Sequence, residues 1–524
     1  MFWFLSVLAS VVSKHAFLIQ KHPNTKTLKH KTPSTLSYET VIGLETHVQL
    51  STASKIFCSD AAAFGGAPNT HISTISLAHP GTLPRLNKKA IEFAVKLGLA
   101  LGCDINRRTH FDRKNYFYAD LPKGFQTTQD RAPVCLGGSL ALKVGSADGQ
   151  RSNPVIRIHH IHLEEDAGKS MHDQSPKHSM IDLNRAGVPL LEIVSEPDLR
   201  GPEEVAAYME EIRRLVRWLG ISDGNMEEGS MRCDVNISVR PMGSSTFGNR
   251  CEIKNMNSMR FAKRAIEYEV KRQIALIESG GTVEQETRGF DVAQGTTFSL
   301  REKENAHDYR YFPEPDLPPV VISEEYLTDI KTAMPPLPAI LEQEFQMAYG
   351  LSAYDAEQLA QERDTALFAQ QLLEMAAVRY KGKDLSKTIA NLLINKLLPW
   401  SAAENIRPAD CPVPPVHWID YAQMIESGQL SASAAAQRLF PAMLETPEKA
   451  PNQLAIELNL LQSADNDFLE QLVDEVLARF PDKVAEYRKG KKGLLGMFMG
   501  EVMKASKGKA EPQSTTKILQ EKLG

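Results

Sequence analysis

The sequence predicts an α+β fold: a largely antiparallel sheet domain over residues 39–332, followed by all-helical units at 333–410 and 411–524. Three observations carry that reading. Segments before residue 332 alternate polar and apolar side chains with period two, the pattern of strands whose successive residues face opposite ways. Two stretches among them, Glu203–Leu219 and Met259–Ile277, carry helical apolar stripes instead. Beyond a proline-rich segment (Pro313, Pro315, Pro318, Pro319, then Pro335, Pro336 and Pro338) the periodicity becomes helical.

The elements follow in order. Residues 1–38 are predicted to be a dispensable leader: an apolar run, Phe2–Ser13, too short to span a bilayer, then Lys14, Lys21, Lys26, Lys29 and Lys31 with no acidic residue before Glu39. A transit peptide and a misplaced start both fit, so the expected compartment is the cytoplasm, with a mitochondrion or plastid as the alternative. Val41–Leu50 reads as a strand with Glu45 and His47 on one face, about 7 Å apart at strand rise. Arg157–Glu165 reads as another. In Met231–Arg240, Met231, Cys233, Val235, Ile237 and Val239 form a core face, and Arg232, Asp234, Asn236, Ser238 and Arg240 form the other. Arg250, Glu252 and Lys254 make a further polar face. Late in the chain, Phe468, Leu469, Leu472, Val473, Val476, Leu477 and Phe480 form one stripe of a helix over 466–480. A second proline cluster, Pro408 to Pro415, marks the boundary between the helical units.

Composition bounds the function. The hydrophobic share of 42% and charged share of 24% are globular values, and a net charge of −5 excludes a global nucleic-acid footprint. A local one remains: Arg488, Lys489, Lys491, Lys492, Lys504 and Lys507 crowd the end of the chain, a solvated helix face being the alternative. Six cysteines without a CxxC pair fit a reducing compartment rather than a disulfide scaffold. Gly168-Lys169-Ser170 lacks the upstream glycine of a phosphate loop, and no GxGxxG or GxSxG is present. A nucleotide would therefore be held by side chains and metal ions on a sheet face. Glu45, His47, Glu164, Glu165, Glu192, Glu228 and Asp234 are candidate metal ligands, because magnesium takes oxygen donors and shares phosphates. Arg232, Asn236, Arg240 and Lys254 are candidate nucleotide contacts. His159, His160 and His162 raise zinc as a rival, but alternation turns His159 away from the other two.

Seven segments, in order, resemble the B-subunit family of aspartyl/glutamyl-tRNA amidotransferases. They are Val41–Val48, Phe111–Tyr118, His162–Ser170, Leu183–Asp198, Met226–Arg240, Asp308–Asp316 and Met503–Gly508. The resemblance spans about residues 39 to 520. It implies a glutamine synthetase-like cradle, a helical domain and a tRNA-binding helical tail. It also implies ATP-dependent phosphorylation and amidation of Glu-tRNA(Gln) or Asp-tRNA(Asn), with Mg²⁺, in a heterotrimer. Ammonia would come from an amidase, the A subunit, with a small C subunit completing the assembly. Glu45, His47 and Glu165 match the family's metal and active-site positions, and Lys114 and Glu165 match charged residues along the ammonia path. Glu164, Glu192, Glu228, Asp234 and Asn236 are added from alternation alone. Many members carry a four-cysteine zinc knuckle after the first strand. Here Cys58 stands without the other three, so no zinc is expected. A non-catalytic tRNA-binding adaptor is the alternative function. The chemistry requires Glu45, His47, Glu165 and Asp234 to converge within one cavity.

Overall fold

The computed structural model describes residues 37–145, 151–172, 175, 177–256, 258–302, 309–462, 466–506 and 509–524. Residues 1–36 of the predicted leader, Asp308 and Lys507 lie outside the described residues. Tyr38 is already paired with Pro241, and the Ser37 carbonyl accepts from Met242 N at 2.8 Å, so the sheet claims the end of the span assigned to the leader.

Twelve strands position the site: β1 (Tyr38–Gln49), β2 (Asp104–Ile105), β3 (Asp112–Asn115), β4 (Phe125–Thr128), β5 (Cys135–Leu136), β6 (Val155–Glu165), β7 (Pro189–Ser195), β8 (Met231–Pro241), β9 (Cys251–Met256), β10 (Glu286–Asp291), β11 (Thr296–Glu302) and β12 (Phe312–Pro313). The main sheet has ten strands in the order β11-β10-β9-β8-β1-β7-β6-β5-β2, and Ser139–Ala141 pairs onto β6. Its ladders are antiparallel except β9–β10, which is parallel. The expected α+β sheet domain is thus present.

The core follows from the alternation. Met231, Cys233, Val235 and Ile237 are fully buried, together with Ile42, Leu44 and Val48 of β1. Helices α1 (Lys88–Ala100), α2 (Pro202–Trp218) and α3 (Met259–Glu278) cover that face. The opposite face is not left to solvent. A small sheet, β12-β3-β4, lies over part of it, and Thr128 of β4 donates to Glu164 at 3.3 Å. Asp234, Asn236 and Ser238 are buried as well.

The helical part has two cores. One runs from Leu341 to Leu460 and takes in Trp218 from α2, whose indole donates to the Pro336 carbonyl at 2.9 Å. This core crosses the predicted 410/411 boundary. The prolines there begin helical turns, Pro408 in a short 3₁₀ turn and Pro415 at the head of a helix, where a missing N–H is harmless. The other core, Leu469 to Leu523, belongs to the tail, whose helices are α4 (Asn466–Arg479), α5 (Pro481–Arg488), α6 (Leu495–Ala505) and α7 (Pro512–Leu523). No helix of the described residues is long and apolar enough to cross a membrane.

Candidate functional site

The second half of β1 lies between β7 and β8, so Glu45 and His47 each gain a neighbour on both flanks. His47 is opposite Glu192 of β7 and Arg232 of β8, and Glu192 is opposite His162 of β6. Two residues along, Glu45 is opposite Asp234. Gly43 is opposite Asn236, which is opposite Glu252 of β9. Two acidic clusters result, side by side on one face.

In the first, His47 Nε2 lies 3.2 Å from Glu192 and 4.0 Å from Glu164, and donor atoms of the three converge within 4.8 Å. Burial alone would lower His47, but Glu192 outweighs it and lifts the imidazole to about 9. Burial likewise opposes the charged carboxylate of Glu192, yet His162 and His47 hold it well below the usual range. His162 Nε2 is 3.6 Å from both Glu164 and Glu192. In the second cluster, donor atoms of Glu45, Asp234 and Glu252 converge within 4.8 Å. Lys254 Nζ is 3.4 Å from Asp234 and from Glu252, Asn236 donates to Glu45 at 2.8 Å, and Thr287 donates to Glu252 at 3.0 Å. Burial works against the Lys254 charge, but Asp234 and Glu252 keep it above its ordinary value.

Glu45 and Asp234 meet in the second cluster and His47 in the neighbouring first one, while Glu165 lies apart from both, so the four do not share one cavity. Consecutive residues of a strand face opposite ways, so Glu164 and Glu165 cannot share a face. Glu165 instead accepts from Thr127 N at 2.8 Å and pairs with Lys123. It lines a cavity of about 250 Å³ with Arg113, Asp166, His79, Cys58 and Glu314. Glu228 is exposed in the turn before β8 and belongs to neither cluster. Lys114 does not pair with Glu165. Its ammonium sits 4.8 Å from the centre of the Tyr309 ring and 5.9 Å from that of Tyr116, on the side of the Glu192 cluster.

The predicted nucleotide contacts divide too. Asn236 and Lys254 belong to the second cluster. Arg232 is engaged by Asp166 through bonds of 2.9 and 3.1 Å, and Gln49 donates to the same carboxylate at 2.7 Å. Burial would raise Asp166, but Arg232 and Arg185 hold it at about 2. Arg240 is paired with Glu39 at 2.6 Å. His159 also departs from expectation. A register shift between Ile158 and His160 swings it back beside its neighbour, so that His159 Nδ1–His160 Nδ1 and His160 Nε2–His162 Nδ1 form a string at 2.6 and 3.0 Å. Cys58 Sγ donates to Asp60 at 3.3 Å and lies 3.5 Å from Ser76 Oγ. In the tail, Arg488 and Lys492 bind carbonyls of Lys522, Leu523 and Gly524 at the end of α7, while Lys489, Lys491 and Lys504 are exposed.

Glu252 and Lys123 were not among the predicted site residues. Glu252 was within reach, sharing a face with Lys254. Lys123 lies in a loop without periodicity, and only folding brings it to Glu165.

The donor sets suit divalent cations. Carboxylates dominate both clusters, as hard cations require. His47 presents its Nε2 to the carboxylates of the first cluster.

A family model described as GatB/GatE catalytic domain matches residues 40–328, and one described as GatB domain matches residues 373–523. The chain is similar to the B subunit of the aspartyl/glutamyl-tRNA(Asn/Gln) amidotransferase of Persephonella marina, 45% identical over 488 residues, 93% of this chain and 100% of the relative. It is similar to the B subunits of the same name from Geotalea uraniireducens, 47% identical over 491 residues, and Myxococcus xanthus, 47% identical over 487 residues; 93% of this chain aligns in both, with 100% and 99% of the relative.

Proposed function

From the fact that the chain belongs to the GatB/GatE family, we propose that it is the B subunit of a tRNA-dependent amidotransferase, a carbon–nitrogen ligase with glutamine as amido donor. Its substrate is Glu-tRNA(Gln) or Asp-tRNA(Asn), its energy source ATP, and its partners an amidase (the A subunit) and a small C subunit. The sheet domain is a cradle of the glutamine synthetase type. The observation that carries the reading is the pair of acidic clusters on adjacent rows of one sheet face.

A side-chain carboxylate is a poor acyl donor. One of its oxygens attacks the terminal phosphorus of ATP, forming an acyl phosphate and releasing ADP. Ammonia then attacks the carbonyl carbon, phosphate leaves, and the nitrogen sheds a proton to give the amide. His47, Glu164 and Glu192 would hold one Mg²⁺, and Glu45, Asp234 and Glu252 another. Bound there, the cations neutralise phosphate charge and align the transferring group. Lys254 is placed to bind phosphate oxygens beside the second cluster. Lys114, boxed by Tyr116 and Tyr309, adds a fixed positive charge beside the first. β4 packs against Glu164 and Glu165 and would help to keep out water, which would hydrolyse the acyl phosphate.

Ammonia would reach this face past Glu165. The Lys123–Glu165 pair stands where the 250 Å³ cavity meets the strand, so opening it admits the nucleophile. The exposed Lys489, Lys491 and Lys504 would meet the tRNA backbone. The decisive measurement is ATP consumption in the presence of mischarged and uncharged tRNA. Dependence on mischarged tRNA, abolished by Glu45→Gln and by Glu192→Gln, is the expected result. Binding of tRNA without any ATP turnover would instead make the chain an adaptor.

A further inference from the structure

Two segments far apart in the chain bring a row of aromatic rings together. β12 pairs antiparallel with β3, Phe312 opposite Arg113. The same register, carried onward, puts Tyr309 beside Tyr116, and their rings stand 6.1 Å apart. Tyr118 extends the row beyond Tyr116 at 5.7 Å, and Tyr311 extends it beyond Tyr309 at 5.9 Å, each pair edge to face. The four tyrosines form one continuous ladder. Its inner end is at the first cluster: burial, then the nearby carboxylates of Asp130, Glu164 and Glu192, raise the Tyr311 hydroxyl above its ordinary value. Its outer end is open, with Tyr118 54% and the adjoining Phe117 78% exposed. Phe117 is still held in place, its ring standing against Gly124, where a Cβ would come within 3.1 Å of it.

Cations interleave with the rings. Lys114 lies between Tyr309 and Tyr116. Arg310 is exposed at a φ of +46°, a left-handed conformation that a residue with a Cβ rarely adopts. The Asn115 side-chain amide donates to the Tyr309 and Arg310 carbonyls at 3.1 and 2.9 Å, and Arg131 donates to the Tyr311 carbonyl at 3.3 Å. These bonds impose the turn that leaves Arg310 in solvent between two half-buried tyrosines. Strain of this kind persists only where the surroundings enforce it, and it gathers at ligand clamps. Rings alternating with basic groups suit single-stranded nucleic acid, whose bases stack on the rings while its phosphates meet the cations. A protein interface would be depleted of charge at such a patch.

We infer that this ladder leads the single-stranded 3′ end of the tRNA to the first cluster, Phe117 and Tyr118 taking bases and Arg310 a phosphate. This rests on the proposed amidation of aminoacyl-tRNA and gives that substrate a path. The side chain to be amidated is esterified to the last nucleotide, so it reaches His47 and Glu192 only if the strand that carries it is guided across the surface.

The test is equilibrium binding to the full chain of tRNA(Gln) and tRNA(Asn), each compared with the same tRNA trimmed of its unpaired 3′ nucleotides. Phe117→Ala and Arg310→Gly do not threaten folding, since both sites are exposed and glycine accepts a positive φ. Each is expected to weaken the untrimmed tRNA about tenfold, the scale of one lost stacking contact, and to leave the trimmed tRNA and magnesium–ATP unchanged. Trimming should weaken binding to the wild type and make no further difference to the double variant. Unchanged affinity for untrimmed tRNA in both variants overturns the inference. An equal loss for untrimmed and trimmed tRNA also overturns it, by placing the contact on the duplex. Loss of magnesium–ATP affinity would give the rings to the nucleotide, and loss of A-subunit binding with tRNA affinity kept would give them to a protein interface; each result overturns the inference. If the wild type binds the trimmed and untrimmed tRNAs equally well, this inference falls and the amidotransferase reading stands. If the wild type binds none of the tRNAs, the amidotransferase reading itself falls.

Discussion

Glu192 stands 3.2 Å from His47 and keeps a proton on an imidazole that burial would otherwise strip. Unfolded, this imidazole titrates near 6.5; folded, at about 9. The folded state therefore binds the proton more tightly. Its contribution is complete below pH 6.5 and disappears as pH rises through 9. In EDTA-treated protein, calorimetry should show Tm falling across that window more steeply in the wild type than in His47→Gln. Parallel curves would remove the electrostatic account of this pair.

Asp166 and Arg232 form a two-pronged bond that is closed off from solvent on the carboxylate side. Asp166→Asn leaves a cation without its counter-charge and should cost about 3–5 kcal/mol in urea unfolding at pH 7. Pairing Asp166→Leu with Arg232→Met should recover part of that loss. A single-variant cost under about 1 kcal/mol would show the pair to be weakly coupled.

Lys123 and Lys114 lie on different sides of β6 and should fail differently. Lys123→Ala is expected to depress glutamine-driven amidation more than amidation fed by free ammonium. Lys114→Ala should depress both alike, by about a hundredfold, since it removes a charge beside the phosphoryl-transfer cluster. The reverse pattern in the two assays would exchange their roles.

Trp218 belongs by sequence to the sheet domain and by packing to the helical one. Trp218→Ala should cost about 3–5 kcal/mol. It should also separate the melting of the two parts, seen as a second calorimetric transition. One undivided transition in the variant would argue that other contacts couple them.

The basic residues of the tail divide by what they touch. Lys489→Ala and Lys504→Ala should each weaken tRNA binding and lower the salt-dependence slope by about one unit. Arg488→Ala and Lys492→Ala remove ligands from the carbonyl end of α7 and should lower tail stability first. A slope unchanged by all four substitutions would move the RNA contact elsewhere.

Much of this was legible without coordinates. Strand alternation placed Glu45 with His47 and lined up Arg232, Asp234 and Asn236, because side-chain direction on a strand is fixed by local geometry. The stripes of α2, α3 and α4 located those helices to within a residue or two. The same parity rule, applied to Glu164 and Glu165, already separates them; the family motif had joined what the pleat divides.

What the sequence determined by itself was which residues share a face and where the periodicity changes, since both depend on backbone geometry within one segment. Only the tertiary structure decided which face meets which: that Glu192 joins His47, that Glu252 joins Glu45, and that Lys123 rather than Lys114 reaches Glu165. Those outcomes depend on strand order and register, which arise from packing between segments far apart in the chain. No local pattern encodes them.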